Sequence, residues 1–240
     1  MDFFNFITLL NEYKFINFIV YILETVATPV RINTVKGKYS KMRVLIIAPH
    51  PDDETLCCGG SIVKFLEEGN EVRVIIVTDG RYGSPNDELR GSKELIEIRK
   101  KEALNATRIL GLSKDNVEFL DFEDGKIKEK RNEVKAIMMD ILENYGPDFI
   151  FAPIPLDKHS DHSELGKILL SLFPSAYFYI IWTREDLDLS EWNEIRTDIR
   201  RYKEKKIMAL NEYKSQIGGF PDDLIKRASS DYEIFYRYKF

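Results

Sequence analysis

Five short apolar runs, each followed by a stretch with helical spacing, constrain this chain more than any other feature. Residues 44–48 are closed by Pro49, residues 72–77 run into the turn-rich 78–85, and 117–120, 149–152 and 176–182 continue the series. Runs this short and this apolar suit strands buried on both faces, the pattern of a parallel sheet. Between them, residues 55–68, 93–110, 132–145 and 161–172 repeat apolar positions at helical spacing, with Gly69, Gly111 and Gly146 as stops. The alternation predicts an α/β, Rossmann-like fold: a mostly parallel sheet with helices on both faces. Residues 185–228 read as polar and helical, and 232–238 as a last strand.

A chain of 240 residues suits one such domain with an appendage, here residues 41–240 after an apolar, aromatic extension at 1–40. In that extension Asn11, Glu12 and Lys14 break up the apolar sequence. What remains falls short of the roughly 20 apolar residues a spanning helix needs. One or two amphipathic helices packing on the domain or on another subunit of a homo-oligomer are the favoured reading; membrane contact through residues 1–25 is the less favoured one. A net charge of −5 argues against a nucleic-acid partner. Cys57 and Cys58 are adjacent and ill-suited to a disulfide, which points to free thiols in a reducing, cytoplasmic setting.

Ligands of open α/β sheets bind beyond the carboxyl ends of the strands, and those ends lie near Pro49, Thr78, Asp121 and Ala152. The chain has three histidines, and all lie at two of these ends: His50 after the first run, His159 and His162 after the fourth. Each has carboxylates beside it, in Asp52, Asp53 and Glu54 or in Asp161. Imidazole and carboxylate together suit zinc or a related divalent ion, and a set that leaves coordination positions open marks catalysis. The plainer reading is that His50 and its acidic neighbours only dress the positive end of a helix. No G-x-G-x-x-G or P-loop follows the first run, so dinucleotide binding has little support.

Ala48-Pro-His-Pro-Asp-Asp-Glu54, Thr78-Asp-Gly80 and His159-Ser-Asp-His162 resemble, in order and separation, the signatures of the LmbE/PIG-L family of N-acetylglucosaminyl deacetylases. Arg99 with Glu102 and Leu110-Gly111, and Lys206, Ala209 and Ser215-Gln216, resemble weaker family stretches. The chain departs from the pattern at Tyr213-Lys214, where the family often has His before Ser-Gln, and in its first forty residues, which have no counterpart.

The resemblance implies one Zn²⁺ per chain, held by His50, Asp53 and His162, and hydrolytic removal of acetyl from an N-acetylated amino sugar. Asp52 would be general base to the attacking water. His159, as imidazolium, would steady the oxyanion and later protonate the amine, with Asp161 orienting a neighbouring imidazole. Arg99 is either a contact to sugar hydroxyls or a solvent-facing helix charge. Asp79 and Arg81 would line the same rim, Asp79 being alternatively a turn residue. Asp157 is a turn residue or a support to the histidines, and Glu54 holds its loop or caps its helix. The alternatives are a non-catalytic metal- or sugar-binding module and a membrane-surface glycolipid deacetylase.

Overall fold

A computed structural model describes residues 41–182 and 187–239. The extension at 1–40, with the amphipathic, membrane and subunit contacts read for it, lies outside the described residues. No helix among the described residues is long and apolar enough to cross a membrane.

In chain order the elements are β1 (Arg43–Ala48), α1 (Asp53–Glu67), β2 (Glu71–Thr78), α2 (Lys93–Leu110), β3 (Val117–Phe122), α3 (Arg131–Tyr145), β4 (Phe149–Pro153), α4 (Ser160–Leu172) and β5 (Tyr177–Tyr179). Then follow β6 (Trp192–Asp198), α5 (Lys203–Leu210), α6 (Asp222–Ala228) and β7 (Tyr232–Tyr238). The sheet runs β3-β2-β1-β4-β5-β7-β6. Its first five strands are parallel, while β7 pairs antiparallel with both β5 and β6. This is the expected α/β, Rossmann-like architecture. Val44 to Ala48 are wholly buried, as befits a central strand covered on both faces. The α2 boundaries follow local chemistry: the Ser92 hydroxyl accepts from Leu95 N–H at 3.0 Å, and Gly111 ends the helix at φ 109°, where a side chain would be strained.

One segment departs from expectation. Within 185–228, read as helical, residues 192–198 form an edge strand on β7, register Trp192↔Tyr238 to Asp198↔Tyr232. Only Trp192 of that strand is buried, so the apolar alternation that announces a strand is nearly absent. Long-range pairing with β7 makes it a strand. The fifth strand is also shorter than read, leaving Ile181 and Trp182 beyond its end.

The topology places the site. From β1 the chain winds outward through β2 and β3, whereas β4 and β5 lie on the other side, so the order reverses between β1 and β4. Ligands bind at such a crevice. His50 follows β1 and the pair His159/His162 follows β4, facing each other across it. The second loop is held by close contact: a Cβ on Gly166 of α4 would meet Pro153 O and Pro155 N at 2.6 Å, both backbone atoms. Gly166→Ala is therefore expected to push α4 off this loop and lower Tm by roughly 3–10 °C. Thermal unfolding followed by circular dichroism checks it; an unchanged Tm would show that the loop yields freely.

Candidate active site

β1 delivers Pro49 and His50 to the crevice, and α1 begins three residues later, so Asp53 sits in its first turn. α4 begins at Ser160, with the His159 ring as its cap: His159 Nδ1 accepts from Asp161 N–H at 3.3 Å. His162 lies in the first turn of that helix, fully buried.

These two helix starts bring together three atoms that could hold a metal ion. His50 Nδ1 lies 3.3 Å from Asp53 Oδ2 and 3.2 Å from His162 Nε2, and His162 Nε2 lies 3.2 Å from Asp53 Oδ2. The triangle is nearly equilateral. A tetrahedral zinc with bonds of about 2.0–2.1 Å sets its ligand atoms about 3.3–3.4 Å apart, so the donor set fits zinc in both chemistry and spacing. Two further groups could also hold an ion, His50/His159/His162 and His50/Asp124/Asp161, with donor atoms within 4.8 Å of one another.

The far sides of both imidazoles are backed by carboxylates. His50 Nε2 is 3.1 Å from Asp124 Oδ1 and 3.5 Å from Asp161 Oδ2, while His162 Nδ1 is 3.6 Å from Asp157 Oδ2. Such partners fix the tautomer and ring orientation of a ligating histidine. Asp157 serves both roles read for it, since it also accepts from His159, Ile181 and Trp182 N–H. Asp161 is itself held by Gly125 and Ile127 N–H.

Charges follow from this packing. Burial opposes protonation of His162, but Asp53 and Asp157 outweigh it and lift the ring to about 9. His50 is also raised: burial works against it, while Asp124, Asp161 and Asp53 prevail. Asp53 is buried, yet both imidazoles hold its carboxyl well below the usual range. Burial raises Asp52 to about 8, with Arg99 pulling the other way. Burial and the two neighbouring imidazoles lower His159 to about 4. In the metal-free chain these effects favour the neutral form of the His159 ring.

The sign of the pH dependence follows. A proton on His162 stabilises the metal-free fold fully below pH 6.5, and that contribution is lost as pH rises through about 9. Asp52 works in the same sense, because burial disfavours its ionised form, reached near pH 8. The metal-free protein is expected to lose on the order of 5 °C in Tm between pH 6.5 and 9. A flat or rising Tm over that window, measured after chelation, would contradict the assignment.

Arg99 is not solvent-facing, and it lines the cavity beside Asp52. It is 2% exposed, and it donates to Gly80 O, Pro51 O, Asp52 Oδ2 and Gln216 Oε1. Gln216 Nε2 donates to Glu102, which also accepts from Ser215 N–H and Oγ–H. The two weak motifs, Arg99-x-x-Glu102 and Ser215-Gln216, therefore form one network that grips Asp52. Asp79 and Arg81 stand at the β2 end of the rim but away from the cavity wall. Asp79 accepts from Arg81 Nε at 2.9 Å and from Asp124 N–H at 3.3 Å, joining the loops after β2 and β3, and neither residue lines the cavity.

The cavity, about 410 Å³, is lined by His50, Asp52, Asp53, Asp124 and His159, with Tyr82, Trp182 and Phe220 among its walls. Sequence reading missed Asp124 and these aromatics. For Asp124 a signal existed, since it sits at a strand end already marked as rim.

Fold and cluster define an α/β protein with a metal-type His/Asp cluster in a cavity at its topological switch point. Residues 45–173 match the family described as PIG-L, GlcNAc-PI de-N-acetylase, and the chain belongs to this PIG-L/LmbE family. A probable N-acetyl-alpha-D-glucosaminyl L-malate deacetylase 2 of Bacillus anthracis is 24% identical over 189 residues, 74% of this chain and 82% of that protein. Diacetylchitobiose deacetylase of Thermococcus kodakarensis is 33% identical over 127 residues, 52% of this chain and 46% of that protein. Among solved structures, the N,N'-diacetylchitobiose deacetylase of Pyrococcus horikoshii aligns with TM-score 0.62 at 29% identity, over 78% of this chain and 74% of its own.

Proposed function

We propose that this chain is a zinc-dependent hydrolase that removes the acetyl group from an N-acetylglucosamine-containing substrate. The observation that carries the reading is the triangle of His50 Nδ1, Asp53 Oδ2 and His162 Nε2, with Asp52 on the wall of the same cavity. Those three residues would hold the ion. Zinc in such a site supplies a Lewis acid that polarises a carbonyl and brings the pKa of water to about 7.

The chain's own groups do the rest. Asp52 takes the proton of the attacking water as general base, its carboxylate steered by Arg99 at 3.0 Å. Burial raises its carboxyl to about 8 in the metal-free chain, and a cation beside it together with Arg99 would favour the ionised form that a base requires. The neutral His159 accepts at Nδ1 from the backbone, which leaves Nε2–H as a donor to the oxyanion. Asp124, Asp161 and Asp157 keep the two ligating rings in register.

Mass spectrometry of zinc-loaded protein with N-acetylglucosamine, N,N'-diacetylchitobiose and a malate glycoside of N-acetylglucosamine tests the reading. Loss of an acetyl group, abolished by chelation and restored by zinc, is expected. Stoichiometric zinc with no hydrolysis of any N-acetylated sugar would favour a binding module instead.

A further inference from the structure

Asp52 stands at the N-cap of α1, where an aspartate ordinarily spends its carboxylate on the free N–H groups of the first turn. Here it makes no such bond. Its backbone is held at φ 145°, ψ −31°, and its carboxylate meets Arg99 and the cavity instead. Something else must hold the start of the helix in this shape.

Glu54 does so. Its Oε2 accepts from Asp52 N–H at 3.1 Å, and its Oε1 accepts from Thr55 Oγ1–H at 2.8 Å and from the Tyr213 hydroxyl. Thr55 Oγ1 and the Tyr213 hydroxyl are themselves 3.0 Å apart. Glu54, Thr55 and Tyr213 are all fully buried, and neither Glu54 nor Tyr213 lines the cavity, so neither touches substrate. A buried carboxylate depends on such donors to stay in place. Tyr213 is also where this chain departs from the family pattern. The segment that carries it goes on to Gln216, whose Oε1 accepts from Arg99, the residue that donates to the Asp52 carboxylate.

We infer that the Tyr213–Glu54 pair is a positioning device for the general base. It secures the Asp52 backbone through its N–H, while the Asp52 carboxylate is left available for the reaction. The inference rests on the reading of Asp52 as base.

The test uses the zinc-loaded full chain and a double-mutant cycle, with kcat, KM and zinc content measured for each protein. Tyr213→Phe is expected to lower kcat by about 10-fold or more, with KM and zinc content within about twofold. In an Asp52→Asn background the same substitution should change kcat by less than about twofold, because the group it positions has lost its function. Glu54→Gln, nearly isosteric, should repeat both results. An unchanged kcat in Tyr213→Phe, or an equal loss with and without Asp52, would overturn the inference. Failure of both single variants to fold would also overturn it, since the pair would then be a support of the fold. Full activity in Asp52→Asn alone is a separate outcome, which removes the base assignment and not the deacetylase reading.

Discussion

Asp52→Asn is expected to lower kcat by about 100- to 10,000-fold while zinc affinity changes by no more than a few fold. The separation follows from where the two adjacent carboxylates point. Asp53 Oδ2 lies within 3.3 Å of both imidazole nitrogens of the proposed metal site. Asp52 bonds instead to Arg99 at 3.0 Å, and its backbone sits at φ 145°, strained for any residue with a side chain. Strain of that kind costs about 1–3 kcal/mol and persists only where surrounding structure enforces it. Asparagine keeps the shape and can still meet Arg99 through its carbonyl oxygen, but it cannot take a proton from water. Turnover should therefore fall with KM nearly unchanged, the signature of an interaction made in the transition state. Full turnover in this variant would remove Asp52 from the mechanism.

His162→Ala is expected to act at the earlier step, weakening zinc binding by more than about 100-fold and abolishing turnover at ordinary zinc concentrations. His162 supplies one corner of the triangle and is wholly buried, so no surface side chain can replace it. Its loss also leaves Asp53 and Asp157 facing each other's charge without the ring between them. Metal titration by competition with a chromophoric chelator reads the effect directly. Zinc affinity within tenfold of the parent would mean that the ion sits elsewhere.

How much of this was legible in the sequence depended on how local each cause was. The strands and their mostly parallel sheet followed from apolar runs that need no partner to be recognised, and His50 and His162 stood out because histidines are rare here and fall at two strand ends. The burial of Arg99 was also readable. It shares the α2 stripe of Leu95, Ala103, Ala106 and Leu110, all buried, a sign that its charge faces inward. What could not be read came from distant segments. Asp124 is one acidic residue among many until β3 brings its loop beside β1. Gln216 and Tyr213 reach α1 and α2 only after the chain has crossed the sheet. β6 is a polar edge strand whose pairing with β7 overrides its weak local signal.

The central claim is that His50, Asp53 and His162 together hold one cation beside Asp52. Anomalous diffraction from zinc-soaked crystals, recorded on both sides of the zinc absorption edge, tests it most directly. One peak is predicted, about 2.0–2.2 Å from His50 Nδ1, Asp53 Oδ2 and His162 Nε2. A peak between His50 Nε2, Asp124 and Asp161, or no peak at the triangle in crystals of active enzyme, would contradict the account.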